Sequence, residues 1–251
     1  MENIKHTVLL TGAAGFIGAS LAIKLINSGE NVIGIDNLNS YYIKSLKLER
    51  LKIIEDTAKK NNVKWKFYKI DIDNEKELKK VFKENQPSIV INLAAQAGVR
   101  YSILKPSEYV KSNLVGFANI LQESANYEVK HLIYASSSSV YGGNKKFPFS
   151  ENDEVNHPVS FYAATKKANE AMAHSYSSIH KIPCTGLRFF TVYGPYGRPD
   201  MAPMIFADSI LLNKPIKVFN FGNMKRDFTF VDDVVEAIYR CCYKIPVASS
   251  E

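Results

Sequence analysis

Short apolar runs alternate with stretches of helical periodicity along most of the chain. The apolar runs predict strands at about residues 8–11, 31–35, 64–70, 88–93, 131–135 and 184–190. Apolar residues at helical spacing predict helices between them, at about 17–29, 42–60, 74–84, 107–126 and 160–180. Because strands that alternate with helices build parallel sheets, the pattern predicts an α/β fold with a doubly wound parallel sheet.

The pattern changes from residue 194 onward, where prolines and glycines crowd the chain. A helix is predicted at about 204–212, then two short strands near Val218 and Phe228 and a helix from Asp232. We therefore predict one domain over residues 1–193 and a small substrate-binding lobe over residues 194–251, at the sheet edge where such folds bind ligands. No closing element precedes Glu251, so we expect this lobe to be incomplete.

Composition and charge exclude several classes of protein. The 251 residues are 46% hydrophobic and 23% charged, and no apolar run approaches the ~18 residues of a membrane span. Lys5 precedes an apolar segment as in a signal peptide, but the glycine spacing described below explains that segment better. Three cysteines make no disulfide framework, which favours reduced thiols and a cytoplasmic location.

Charged and metal-binding residue types are dispersed rather than clustered. The net charge is +7, but the lysines often stand beside glutamates and form no basic block with aromatic residues. This distribution indicates solvated surface, so we predict no nucleic-acid partner, although a mild positive bias suits an anionic substrate. The five histidines lack the spacing of metal ligands, so we predict no metal.

The first predicted strand leads directly into a turn in which glycines recur every three residues. Gly12, Gly15 and Gly18 precede a predicted helix, whose free N–H groups and dipole would attract a diphosphate. Asp36 ends the next strand, where a carboxylate accepts hydrogen bonds from an adenosine ribose and repels a 2′-phosphate. An ordinary turn with a capping acid is the alternative. We predict a Rossmann domain that binds NAD in preference to NADP.

A tyrosine followed four residues later by a lysine occurs three times. The pair at 101 and 105 runs into Pro106, and the pair at 141 and 145 spans two glycines, so we expect no helix at either pair. Tyr162 and Lys166 lie in a convincing helical stretch. We expect the Lys166 ammonium to lower the pKa of the Tyr162 phenol from about 10, so that the phenolate can deprotonate an alcohol.

Four consecutive serines, residues 136–139, follow a buried strand. Such a run is typical of a polar turn. Beside a nucleotide, however, one of these hydroxyls can hydrogen-bond the substrate oxygen that Tyr162 deprotonates. The serines and the Tyr162–Lys166 pair together predict an alcohol-oxidising site.

These motifs together resemble the extended short-chain dehydrogenase/reductase superfamily, within it the nucleotide-sugar epimerases, and most closely the UDP-glucuronate 4-epimerases. The glycine turn and the Tyr/Lys pair mark the superfamily. The run Phe189-Phe190-Thr191, together with residues 197–201, marks a much narrower group of proteins within it. The resemblance covers the whole chain, through residues 11–18, 36–39, 92–100, 135–142, 162–166, 188–195 and 226–233.

The resemblance implies roles for individual residues. Tyr162, Lys166 and Ser137 would be catalytic, with a one-residue ambiguity inside the serine run. Thr191 and Arg198 would recognise the sugar carboxylate, where the alternative for Arg198 is an ordinary surface arginine. The implied substrate contacts are Arg100, Ser138, Ser139, Thr191, Arg198 and, on the diphosphate, Arg226. The implied cofactor contacts are Gly12, Gly15, Phe16, Ile17, Gly18, Asp36, Asn37, Asp71, Ile72, Leu93, Ala94, Ala95, Gln96, Tyr162 and Lys166.

The implied reaction converts UDP-glucuronate to UDP-galacturonate by transient oxidation at C4, with NAD recycled. A UDP-glucose 4-epimerase is the alternative, and Arg198 discriminates, since a neutral sugar needs no positive charge at C6. A dehydratase or decarboxylase would carry an acid where Ser138 and Ser139 stand, and a non-catalytic NAD-binding protein would be expected to lose Tyr162 and Lys166.

The resemblance also implies a homodimer. The predicted helices at 107–126 and 160–180 resemble those that pair into a four-helix dimer interface in the superfamily. The product would serve polysaccharide biosynthesis.

Overall fold

The computed structural model of the protein describes residues 6–247. Lys5, which bears on the rejected signal peptide, and residues 248–251, at the end of the predicted lobe, lie outside the described residues.

Six parallel strands form the central sheet. They are β1 (Thr7–Thr11), β2 (Asn31–Asp36), β3 (Trp65–Lys69), β4 (Ile89–Asn92), β5 (His131–Ala135) and β6 (Cys184–Leu187). Their order is β3-β2-β1-β4-β5-β6, so the chain proceeds outward from β1 on one side and returns to β4 on the other. The doubly wound α/β fold is confirmed, with its switch point between β1 and β4, where such folds bind nucleotides.

Helices cover both faces of the sheet. They are α1 (Phe16–Asn27), α2 (Lys44–Asn61), α3 (Glu75–Asn85), α4 (Tyr101–Leu104), α5 (Pro106–Tyr109), α6 (Gly116–Asn126), α7 (Phe161–His180), α8 (Ala202–Leu211) and α9 (Val231–Cys242). A π-helical segment, Val110–Val115, joins α5 to α6, and Ser138–Tyr141 form a 3₁₀ turn. Within residues 6–247, no helix is long and apolar enough to cross a membrane.

Several predicted elements differ from the structure. The strand predicted at 184–190 ends at Leu187, and the helix predicted at 107–126 is interrupted by the π-helical segment. A single helical turn, α4, begins at Tyr101 but ends at Leu104, so no helix holds the pair at 101 and 105, as predicted. The strand predicted near Val218 was wrong, since β8 (Phe228–Phe230) pairs instead with β7 (Thr191–Tyr193). A three-residue strand takes its partner from distant sequence, which periodicity does not reveal.

Apolar side chains of β1 alternate between the two faces of the sheet and supply both halves of the core. Val8 and Leu10 pack with α1, and Leu9 packs on the opposite face with α3 and α6. The apolar side of α9 joins the first cluster, and Glu236 forms an ion pair of 2.7 Å with Lys24 of α1. The division of the chain at residue 194 stays a prediction, and α9 packs onto the sheet domain.

Candidate active site

The glycine turn between β1 and α1 is closely packed. Gly12 has a φ of +70°, and a Cβ there would lie 2.9 Å from the backbone nitrogen of Ala94. A Cβ on Gly15 would lie 2.9 Å from the carbonyl oxygen of Gly12, and one on Gly18 would overlap the same oxygen. Only glycine fits these positions, so the turn keeps its backbone open at the helix N-terminus, as a diphosphate requires.

Asp36 lies beside this turn at the carboxyl end of β2. Its carboxylate accepts hydrogen bonds from the backbone N–H groups of Leu38, at 2.8 Å, and Ala14, at 3.2 Å. Burial raises the pKa of Asp36, while those two amides and the charges of Lys47 and Arg50 oppose the rise. The carboxylate is thus oriented next to the diphosphate turn, where a ribose would lie.

Three more of the implied cofactor contacts, Asn37, Asp71 and Ile72, lie just after the strands β2 and β3. The side-chain amide of Asn37 donates to Asp71 at 2.9 Å. Asn119 of α6 donates to the carbonyl of Ile72 at 3.0 Å, and Ile72 is buried. The first bond joins the loop after β2 to the loop after β3, and the second joins the loop after β3 to α6.

The loop after β4, residues 93–98, is held by two buried polar side chains. The Thr11 hydroxyl donates to Asn92 at 2.6 Å and accepts from the N–H of Ala94 at 3.1 Å. Asn113 accepts from the N–H of Gln96 at 2.8 Å and donates to the carbonyl of Gln96 at 3.1 Å. The predicted cofactor residues Leu93, Ala94, Ala95 and Gln96 are therefore fixed against β1 and the π-helical segment.

Asn113 is a site residue that sequence reasoning missed. It lies in the π-helical segment, and its side chain also donates to the hydroxyl of Thr165 at 3.0 Å. The backbone carbonyl of Asn113 accepts a hydrogen bond from the side-chain amide of Asn169 at 2.6 Å. Since both partners lie on α7, Asn113 connects the loop after β4 to the helix of Tyr162 and Lys166. An isolated asparagine carried no signal in the sequence, although π-helical segments are frequent at functional sites.

Helix α7 holds the Tyr162–Lys166 pair in a single helical turn. The Ser160 hydroxyl caps the helix by accepting from the N–H of Ala163 at 3.0 Å. The Lys166 ammonium is 2% exposed and donates to the carbonyl of Ala135 at 2.8 Å. Burial lowers the pKa of Lys166 to about 8.

The electrostatics of Tyr162 differ from the expectation. Burial raises the pKa of the Tyr162 phenol, while the hydroxyl of Ser137 and the charge of Arg198 act to lower that pKa. We expected the Lys166 ammonium to lower the pKa of the Tyr162 phenol. That expectation was wrong, because the ammonium is directed to the carbonyl of Ala135. Ser137 and Arg198 therefore both lie close enough to Tyr162 to act on its phenol.

The four serines have different surroundings. Ser136 donates to Glu170 of α7 at 2.6 Å, and Arg188 holds the same carboxylate with bonds of 2.9 and 3.0 Å. Ser137 donates to the Ser139 hydroxyl at 3.2 Å and accepts from its N–H at 3.2 Å. Ser136 is thus held by α7, whereas Ser137 interacts with Tyr162. Glu170 was also missed, although its spacing of four from Lys166 could have indicated it.

Arg198 is held by an acid and a tyrosine. Asp200 accepts from its Nε at 3.0 Å and from its Nη2, and the Tyr41 hydroxyl donates to Asp200 at 3.0 Å. Burial and the Asp200 charge raise the pKa of Tyr41 to about 12. Asp200 takes one edge of the guanidinium, so the Nη1 edge is the part that a further acceptor would meet.

The other predicted substrate residues are spread over several segments, with Thr191 in β7, Arg226 just before β8 and Arg100 just before α4. Thr191 begins β7, and its N–H donates to the carbonyl of Asp227 at 3.2 Å. Arg226 donates to the carbonyl of Lys225, and Arg100 lies 4.2 Å above the ring of Phe219. Among the described residues, neither Arg100 nor Arg226 is hydrogen-bonded to Tyr162.

Comparison with known proteins places this geometry in a family. The pattern that defines the NAD dependent epimerase/dehydratase family matches residues 8–246. The chain belongs to this family. The NAD dependence of this family agrees with the glycine turn and with Asp36. The predicted family and the predicted cofactor, NAD, are therefore both confirmed. Bound NAD would be held by the turn of Gly12, Gly15 and Gly18 and by the Asp36 carboxylate.

Relatives within the NAD dependent epimerase/dehydratase family are similar over most of the chain. Protein CapI of Staphylococcus aureus is 56% identical over 94% of this chain and 69% of its own length. UDP-glucuronate 4-epimerase 4 of Arabidopsis thaliana is 48% identical over 92% of this chain and 52% of its own length. The crystal structure of UDP-glucuronic acid 4-epimerase from Bacillus cereus, in complex with UDP-glucuronic acid and NAD, has a TM-score of 0.88 at 34% identity. The match covers 96% of this chain and 74% of that one.

Proposed function

We propose that this chain catalyses NAD-dependent 4-epimerisation of a UDP-hexuronate, converting UDP-glucuronate to UDP-galacturonate through a 4-keto sugar. The observation that carries the proposal is that Ser137 and Arg198 both lie close enough to Tyr162 to act on its phenol. It is supported by the Bacillus cereus epimerase, which has the same fold and was solved with UDP-glucuronic acid and NAD.

Each residue of this group has a distinct role in the proposed reaction. Tyr162 takes the proton of the 4-hydroxyl, and Ser137 donates a hydrogen bond to the same oxygen. Lys166, one helical turn from Tyr162 and fixed on the Ala135 carbonyl, is assigned to the cofactor side of the site. NAD, when bound, supplies a reversible hydride acceptor, so the net redox change is zero. The keto sugar turns within the site before the proton returns from Tyr162.

Recognition of the uronate is assigned to Arg198 and Thr191. The Nη1 edge of Arg198 lies opposite the edge taken by Asp200, and a charged hydrogen bond from it to the sugar carboxylate would select for an acid at C6. We also assign Ser138, Ser139, Arg100 and Arg226 to the UDP-sugar, and residues 194–251 to the substrate side. A neutral substrate such as UDP-glucose would not use Arg198 in this way.

We further propose that the protein is a homodimer and acts in the cytoplasm, supplying a sugar for polysaccharide biosynthesis. Apolar side chains that are 40% or more exposed lie on the π-helical segment and on α7, namely Val110, Val115, Phe161 and Ile179. A second copy of the same surface would cover them. Light scattering on the purified protein should give the mass of two chains, and a monomeric mass would contradict the proposed dimer.

The test of the proposed reaction is direct. We would incubate the purified chain with UDP-glucuronate, without added NAD, and separate UDP-galacturonate by chromatography. We expect product with the NAD that the protein retains. The Tyr162→Phe variant keeps the ring but lacks the proton acceptor, so turnover should fall by about 10² to 10⁴.

Three outcomes would count against the proposal. Conversion of UDP-glucose with no conversion of UDP-glucuronate would identify a neutral-sugar epimerase and refute the role of Arg198. Failure to convert either sugar after addition of NAD would refute 4-epimerisation by this chain. Full turnover by Tyr162→Phe would show that another group takes the proton.

A further inference from the structure

Arg50 of α2 is the largest side chain that is fully buried among the described residues, with 2% of its surface exposed. Its Nη1 donates to the carbonyl of Ala14 at 2.9 Å and to the Tyr42 hydroxyl at 2.6 Å. Its Nη2 donates to the carbonyl of Tyr196 at 2.6 Å. Within residues 6–247 its Nε has no hydrogen-bond partner. Burial of a guanidinium is costly, and these contacts offset the cost only in part.

The two carbonyls that Arg50 joins belong to functionally different loops. Ala14 lies in the glycine turn between Gly12 and Gly15, and its N–H donates to Asp36. Tyr196 lies two residues before Arg198, in the loop of residues 194–200, which we call the arginine loop. Arg50 is therefore one rigid, planar group in contact with the cofactor turn and with the loop that carries Arg198.

The arginine loop needs such a support. Tyr196 has a φ of +56°, a left-handed conformation that is unfavourable for a residue with a side chain. The loop closes on itself with the bond from the N–H of Gly197 to the carbonyl of Gly194, at 3.1 Å. Its other link to α2 is the 3.4 Å bond between the Tyr196 hydroxyl and Glu49, which is long and exposed. The bond from Arg50 to the Tyr196 carbonyl is the shorter and more buried of the two.

We propose that Arg50 is a positioning residue that couples NAD binding to the conformation of the arginine loop, so that Arg198 is presented to the sugar when the cofactor is held. This inference rests on the proposed function for the identity of the substrate, but the coupling itself is independent of turnover. When the N–H groups of the glycine turn hold a diphosphate, the peptide of Ala14 is fixed. The Arg50 guanidinium, which bonds the Ala14 carbonyl, is then fixed as well. Because the same guanidinium bonds the Tyr196 carbonyl, the peptide of Tyr196 is also fixed. The coupling is reciprocal, because ordering of the loop must favour NAD by the same factor.

Hydrogen–deuterium exchange with and without saturating NAD⁺ tests the coupling. In the wild type, NAD⁺ should slow exchange in peptides of the glycine turn and in peptides covering residues 194–201, the latter by about fivefold or more. Arg50→Lys keeps the charge but has no planar fork to join both carbonyls. In that variant NAD⁺ should still protect the glycine turn, whereas protection of residues 194–201 should be lost.

Matched variants distinguish coupling from a general loss of structure. Tyr196→Phe removes the hydroxyl that bonds Glu49 but keeps the carbonyl that bonds Arg50, so NAD-dependent protection should be retained. Tyr42→Phe removes the phenolic acceptor and leaves both carbonyl bonds, with the same expectation. If Arg50→Lys does not fold, as judged by circular dichroism, the uncharged Arg50→Gln replaces it with the same expected result.

Two results would overturn the proposed coupling. One is a wild type in which NAD⁺ protects the glycine turn but not residues 194–201, and the other is an Arg50 variant whose arginine loop responds to NAD⁺ as the wild type does. Failure of NAD⁺ to protect even the glycine turn would instead remove the cofactor site, and the coupling with it. Loss of epimerase activity with intact coupling would refute the proposed function alone.

Discussion

The glycine turn and the arginine loop border the same site but are built differently. The turn is closed by bonds between residues a few positions apart, such as the N–H of Gly15 to the carbonyl of Gly12 at 2.9 Å. The arginine loop is held by side chains from far away in the sequence, Arg50 on Tyr196 and Tyr41 on Asp200. The Tyr196 side chain remains 45% exposed. The shape of the glycine turn is thus encoded mainly by neighbours in the chain, with Asp36 and Arg50 bonded to Ala14 from outside, whereas the arginine loop depends more on tertiary contacts.

If this contrast holds, a change in the turn should damage cofactor binding as a whole. Gly18→Ala places a Cβ onto the Gly12 carbonyl oxygen, so the turn must open. We expect NAD⁺ affinity to fall by more than about 100-fold, measured by calorimetry, since overpacking of 1–3 kcal/mol adds to misplaced N–H donors. Gly143→Ala is the control, because its Cβ meets only a Val159 methyl at 4.0 Å. If the Gly18→Ala variant bound NAD⁺ with wild-type affinity, the proposed difference between the glycine turn and the arginine loop would be refuted.

Substitutions in the serine run, residues 136–139, separate a catalytic role from a structural one. Ser137→Ala should lower kcat by about 10²-fold, since the hydroxyl that acts on Tyr162 is lost. Ser136→Ala removes the bond to Glu170, which should reduce the free energy of unfolding by about 1–3 kcal/mol and change kcat little. Steady-state kinetics and urea unfolding separate the two effects. The reverse ranking in kcat would assign the catalytic hydroxyl to Ser136.

On the substrate side, a change should alter selectivity and spare the cofactor. Arg198→Ala should raise KM for UDP-glucuronate by about 10- to 100-fold, as expected for a charge-assisted hydrogen bond, and change KM for UDP-glucose far less. NAD⁺ affinity should remain within about threefold of the wild type, since the glycine turn is built by its own contacts. Arg240→Ala, which removes an exposed pair with Glu236, is the control. Equal effects on both sugars would refute the carboxylate assignment.

The last prediction concerns stability and pH. The pKa of Lys166 is about 8 in the folded protein, lowered by burial from the ordinary value of 10.5. Between these two pH values the unfolded chain binds more protons, so stability should rise with pH. Relative to Lys166→Met, the wild type should gain about 3 kcal/mol between pH 8 and 10.5, measured by urea unfolding. The control, Lys167→Met, is altered at a less buried neighbour and keeps Lys166, so its stability should rise with pH as that of the wild type does.

Much of the fold and part of the site could be predicted from the sequence. The six sheet strands and the turn at Gly12 follow from apolar runs and short spacings, which depend on neighbours in the chain. The same local rules fail at Val218, since β7 and β8 pair across residues 194–227, a segment that includes α8. The electrostatics of Tyr162 also required the structure, because its pKa depends on burial and on Arg198.

The sequence by itself determined which backbone segments could bind NAD and which helix could carry a Tyr/Lys pair, because periodicity and glycine placement act locally. Only the tertiary structure decided which side chains complete the site. Asn113, Glu170 and Arg50 acquire their roles from hydrogen-bond partners in other elements. A buried polar group is defined by the acceptors that folding brings to it, and no spacing along the chain specifies those.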